Sequence, residues 1–225
     1  MIETALARAS LYNFLAAAFG DPPIPQLLAA WGETLSGVRR APLDEMSVAY
    51  TRLLIGPGPG YAPPYASVYL HPPASGKPLL WGPEAAAVEA VYREAGLEIA
   101  PGQPRVPDHL ALELQFMQHL CAREADATAR GAAAEAAEWR ERQRNFLCHH
   151  LWPWLPRFVG RVSDVDAHPV YRALAVFTLA FVQSEMTSEY GVEASAEIEQ
   201  SAEISTLYGV IPCASTSSLP LCSSR

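Results

Sequence analysis

A chain of 225 residues, half of them hydrophobic, is long enough to bury a sizeable core and fits one domain or at most two. Its 16 basic and 24 acidic residues leave a formal charge of -8, which disfavours nucleic acid and anionic lipid and favours a cationic partner. The first twenty residues, MIETALARASLYNFLAAAFG, lack the basic and apolar regions of an export signal, and the longest apolar run, 170–182, falls short of the ~20 residues that cross a bilayer, so a cytoplasmic protein is expected.

Ile2, Leu6, Ala9, Tyr12, Ala16 and Phe19 recur at helical spacing, and Pro22 and Pro23 after Gly20 predict where that helix ends. A short second helix is expected within 26–35. Arg39 and Arg40 are internal and precede no apolar run, so they read as solvated arginines in a loop. A third helix is expected over 43–54, with Met46, Tyr50, Leu53 and Leu54 on its inner side. The pattern then breaks: seven of the nine residues over 56–64 are Gly or Pro.

Pro83 suits a first helical position, and Val88, Val91, Tyr92 and Ala95 give an inward stripe up to a stop at Gly96. A polar loop over 101–105 leads to a long helix. Asp108 is placed to cap it, and Leu110, Leu114, Met117 and Cys121, widened by Leu112, Phe116 and Leu120, predict packing on several neighbours. Gly131 predicts a break before an alanine-rich helix to about 151. Trp152 to Pro156 mark a corner, and His168-Pro169 opens a last apolar helix to about 189. No period-2 strand is found. The expected organisation is an all-α bundle over 1–189 and a poorly ordered Ser/Thr/Pro-containing tail over 190–225.

The chemistry-bearing residues are few. Gly56, Gly58 and Gly60 do not form a phosphate loop, because Pro57 and Pro59 remove backbone donors and no Gly-Lys-Ser/Thr follows. Tyr65, Ser67 and Tyr69 alternate with Ala66, Val68 and Leu70, as in a short extended segment with its rings on one side. They read either as core filler under a surface loop or as the wall of a groove. Asp108, His109 and Glu113 read as a helix cap with an i,i+4 pair, or as a polar rim beside an apolar groove. No catalytic triad, metal motif or cofactor fingerprint is present. The four cysteines have no zinc-site or disulfide spacing, and His119, His149 and His150 read as packed or solvated side chains.

Three segments together resemble the TorD/DmsD family of cytoplasmic chaperones for molybdenum-containing oxidoreductases, the redox-enzyme maturation proteins. They are YTRLLIGPGPGYAPPYASVYL (50–70), VPDHLALELQFMQHL (106–120) and HHLWPWLPRFVGRVSDVDAHPVYRALAVFTLAFVQSE (149–185). Ala66 stands where many relatives carry an acid, and the tail has no counterpart. The resemblance implies a single-domain helical bundle that is not an enzyme. It would bind the twin-arginine signal peptide of a molybdopterin oxidoreductase catalytic subunit and delay export until the cofactor is inserted.

No cofactor or metal of its own is implied. The peptide site carried over by motif comprises Pro64, Tyr65, Ser67, Tyr69, Pro107, Asp108, His109 and Glu113, with Trp81 added to the tyrosines as a wall of the groove and the two acids facing the leader's arginines. The protein would be a monomer or homodimer, with the Gly/Pro segment a hinge for exchanging helices. A helical metal-binding or redox protein, a nucleotide or cofactor carrier and an assembly subunit acting through the tail are the rival readings.

Overall fold

In the computed structural model, which describes residues 2–26, 29, 42–70, 80–100 and 106–189, every regular element is helical. Eight α-helices follow in order among these residues: α1 (Ile2–Gly20), α2 (Leu43–Tyr50), α3 (Ala66–Leu70), α4 (Pro83–Glu94), α5 (Leu110–Ala129), α6 (Ala133–Phe146), α7 (Leu155–Asp164) and α8 (Pro169–Ser184). Three of them, α2, α6 and α8, run on into single π-helical turns, at Thr51–Ile55, Leu147–Leu151 and Glu185–Glu189. The expected helices over 43–54 and 132–151 are each such a pair. A helical turn begins at Pro25 and Gln26; most of the expected second helix, Arg39, Arg40, the loop over 101–105 and the tail lie outside the described residues.

The axis of the bundle is α5. Leu110, Leu114, Met117, Leu120 and Cys121 have no exposed surface, and Phe116 is buried on the next face. Burying one such side chain contributes roughly 1.5–3 kcal/mol. Along α5 lies α1, through Tyr12, Leu15, Ala16 and Phe19, and α6 returns antiparallel to it after Gly131, whose φ of 71° makes the left-handed turn that glycine tolerates. Phe158 of α7 meets Phe19 edge-on at 5.8 Å. His168 caps α8, its Nδ1 accepting from Val170 N at 3.2 Å while its Nε2 lies 3.0 Å from Glu45 Oε1 of α2.

The inner face of α1 differs from the expected stripe. Ile2 and Leu6 are exposed, whereas Ala5, Arg8, Ala9 and Tyr12 face inward. The reason is electrostatic. Arg8 is buried against anions and amides from three other elements: its Nε donates to Glu185 Oε2 (2.6 Å), one terminal nitrogen to Glu124 Oε2 (3.2 Å) and the other to Gln143 Oε1 (2.7 Å). Gln143 in turn donates to Glu124 Oε2 at 2.9 Å, and Arg140 closes the far oxygen of Glu124. Two cations thus balance two buried carboxylates.

Candidate functional site

The Gly/Pro run closes the π turn after α2 and then crosses α7. Gly56 N donates to Thr51 O at 2.9 Å, and Ala62 N returns to Leu53 O at 2.8 Å, which seats Ala62 in the core. From α7, Arg161 Nε donates to Tyr61 O at 3.1 Å and an Arg157 terminal nitrogen to Tyr69 O at 2.8 Å. Prolines suit this strap because their missing N–H groups leave no orphan donors facing the bundle. At Gly60 a Cβ would fall 2.8 Å from Arg52 Nε, so glycine lets that side chain lie flat on the backbone.

Beyond the strap, the two motifs join. Tyr65 and His109 form an antiparallel bridge, Leu110 N donates to Pro64 O (2.9 Å) and Ala66 N to Asp108 O (3.1 Å). Within 65–70 the extended pairing is limited to Tyr65, and the alternating segment expected there is instead the short helix α3. The cap of α5 also differs by one residue. His109 is the cap, its Nδ1 accepting from Ala111 N at 3.0 Å, while the Asp108 carboxylate crosses to Ser67 N at 2.8 Å and anchors α3.

Glu113, one turn into α5, accepts from Trp154 Nε1 at 3.1 Å, not from His109 as the i,i+4 spacing suggested. Asp108 and Glu113 have no exposed surface. Burial drives the Glu113 pKa well above the usual 4.5; the Trp154 hydrogen bond opposes this and the charge of Asp108 adds to it. Tyr92 of α4 is likewise pushed up by burial, then by Glu113 and Asp108, and its hydroxyl donates to Pro107 O at 3.1 Å. Three buried polar atoms here have no partner among the described residues: Ser67 Oγ, Asp108 Oδ1 and Glu113 Oε1. Buried polar groups are nearly always satisfied, so a cluster of three marks a place built for another molecule or for water.

Aromatic rings cover this chamber. Tyr69 stacks on Trp154 (5.7 Å between centroids, 20° between planes) and meets Phe158 edge-on, while Tyr65 stands edge-on to His109 at 5.0 Å. Burial raises the Tyr61 hydroxyl to about 12, with Tyr65 adding to the shift. On the outer side Tyr65, Val68, Tyr69 and Leu70 are half-buried, and α3 packs on α4. Just ahead of α4, Leu80 and Trp81 are exposed, Trp81 to 68%, and Trp81 holds a φ of 65°. A bulky residue in the left-handed region costs about 1–2 kcal/mol, so this indole is exposed and strained at once.

The structure therefore gathers Pro64, Tyr65, Ser67, Pro107, Asp108, His109 and Glu113 at one bridge, joins Tyr69 to them through Trp154, and leaves Trp81 exposed on the approach to α4. The spacing of motifs did not single out Trp154, Tyr92 or the strap arginines. The Trp152–Pro156 corner was the visible signal for Trp154, but its partner lies 41 residues away. Among the described residues no group of three or more His, Cys, Asp or Glu could hold a metal ion, and no helix is long and apolar enough to cross a membrane.

Residues 20–160, an interval holding the strap, the bridge, both buried carboxyls and Trp154, match the family described as nitrate reductase delta subunit. The chain belongs to that family. Relatives of this nitrate reductase delta subunit family member include proteins named Chaperone protein TorD. That of Vibrio cholerae serotype O1 is 32% identical over 141 residues, 63% of this chain and 60% of the relative. That of Shewanella pealeana is 30% identical over 146 residues (64% and 60%), and that of Shewanella oneidensis 29% identical over 182 residues (79% and 76%). The chain thus spans about 60% of the length of the first two. Among solved structures, a chain assigned as a redox enzyme maturation protein from Archaeoglobus fulgidus is similar at a TM-score of 0.49 and 19% identity, over 78% of this chain and 93% of that one.

Proposed function

We propose that the protein is a chaperone without catalytic activity of its own, which captures the twin-arginine leader of a molybdopterin oxidoreductase catalytic subunit and delays its export until the cofactor is in place. The observation that carries this reading is the chamber at the bridge. Three buried oxygens without partners among the described residues, two of them on carboxyl groups, lie where half-buried Tyr65 and Tyr69 pack on His109 and Trp154. A leader offers the complementary chemistry: guanidinium forks for carboxylates and an apolar stretch for aromatic walls.

Family membership, relatives named as chaperones and the formal charge of -8 support it. In this reading Tyr65, Tyr69, Leu80 and Trp81 receive the apolar stretch. Pro64, Ser67, Pro107 and His109 shape the floor, and Asp108 and Glu113 offer an arginine the oxygens that have no partner among the described residues. Ordering a disordered leader costs several kcal/mol, which keeps the hold transient.

Titration calorimetry with a twin-arginine leader peptide tests the reading. The wild type should bind, a peptide with both arginines changed to glutamine should bind at least tenfold more weakly, and Asp108→Ala with His109→Ala should lose affinity. Trp81→Gly separates recognition from folding: it relieves the left-handed strain, so the protein should melt higher while binding the leader more weakly. Undiminished affinity in both variants would remove these residues from the site.

A further inference from the structure

The two buried carboxyl groups raise a question of charge that the leader reading leaves open. Asp108 Oδ2 accepts from Ser67 N and Glu113 Oε2 from Trp154 Nε1, and the second oxygen of each is unpartnered among the described residues. The groups around them come from four elements. They are Ser67 of α3, Tyr92 of α4, His109 at the cap of α5 and Trp154 ahead of α7, and His109 turns its Nδ1 lone pair to Ala111 N. None of these contacts brings a cation. Burial, and after it the neighbouring Asp108, favour the protonated form of Glu113, so with no cation among these contacts that carboxyl group keeps its proton.

We infer that a leader guanidinium entering this chamber drives that proton out, so that the chaperone holds its leader more tightly as pH rises. The inference rests on the leader reading and deepens it. Before binding, the protonated Glu113 is neutral; afterwards its carboxylate is matched by the guanidinium, so the net charge at that pair is unchanged and the proton passes to solvent. The planar fork of arginine suits two orphan oxygens better than a single ammonium does. Glu113 is the group that gives up the proton, since burial and the neighbouring Asp108 both hold it in the neutral form.

The test is calorimetric titration of the full chain with the leader peptide in phosphate and in Tris, buffers of different ionisation enthalpy, from pH 6 to 8. The expected result is an observed enthalpy that tracks the buffer with about one proton released per peptide, and an association constant that rises by up to about tenfold per pH unit. Glu113→Gln, which keeps an acceptor for Trp154, should flatten both dependences. A glutamine-for-arginine leader should release no proton, and release of the same proton by that peptide would overturn the inference. Buffer-independent enthalpy with wild-type affinity intact would overturn it too and leave the leader reading standing. No binding at all would overturn both. The buffer series on the wild type decides the matter even where Glu113→Gln folds poorly.

Discussion

A carboxyl group with no exposed surface and no ion-pair partner among the described residues, as at Glu113, keeps its proton to a higher pH than the unfolded chain does. From the usual 4.5 up to its raised folded value, the folded state binds more protons than the unfolded one, so stability falls as pH rises through that window. Glu113→Gln removes this loss while leaving Trp154 an acceptor. The variant should gain on the wild type between pH 4 and pH 8, with each ~1 kcal/mol recovered raising Tm by about 2–4 °C for a domain of this size. A melting difference that is the same at both pH values would mean that Glu113 is not the group that titrates. At this scale the sequence was legible to within one position: Pro107-Asp108-His109 announces a helix start, and two adjacent residues can each cap it. What separates them is tertiary. Asp108 is drawn to Ser67 N, 41 positions back along the chain, and that leaves the cap to His109.

Among the elements, α5 and α8 were the clearest from periodicity, because their burial is apolar on wide faces and repeats at helical spacing. The inner face of α1 was not. An arginine at position 8 reads as an outward residue until its partners are known, and those stand 116, 135 and 177 residues away. This buried cluster gives the sharpest prediction on stability. Arg8→Ala leaves Glu185 and Glu124 short of a counter-charge in the interior and should cost about 3–5 kcal/mol in urea denaturation. Arg93→Ala, whose Glu89 partner lies 3.7 Å away on the surface of α4, should cost no more than about 1 kcal/mol. Similar losses in the two variants would show that the Arg8 cluster acts as a surface pair does. The short helix α3 escaped the sequence for a related reason: five residues are too few for a 3.6-residue period to stand out from alternation, and what holds them is a carboxylate from elsewhere.

For the molecule as a whole, the excess of acid acts at a distance. A formal charge of -8 steers a basic peptide before contact, and widening or narrowing the ionic atmosphere changes that steering. Between 0.01 and 0.15 M salt the screening length falls from about 30 to about 8 Å. If a twin-arginine leader is the partner, its association rate in stopped flow should drop several-fold over that range while its dissociation rate changes little. The reverse, a salt-sensitive dissociation rate alone, would place the charges of recognition inside the contact and not around it.

The bond from Arg8 to Glu185 also imposes an order on assembly. A ribosome delivers α1 ahead of its partners, and the Glu185 carboxylate that Arg8 meets is incorporated 177 residues later. Glu124 and Gln143, which also hold the guanidinium, are themselves more than a hundred residues downstream. A chain cut short of residue 185 would therefore keep the apolar seat of α1 on α5 but leave the Arg8 guanidinium without its Glu185 carboxylate.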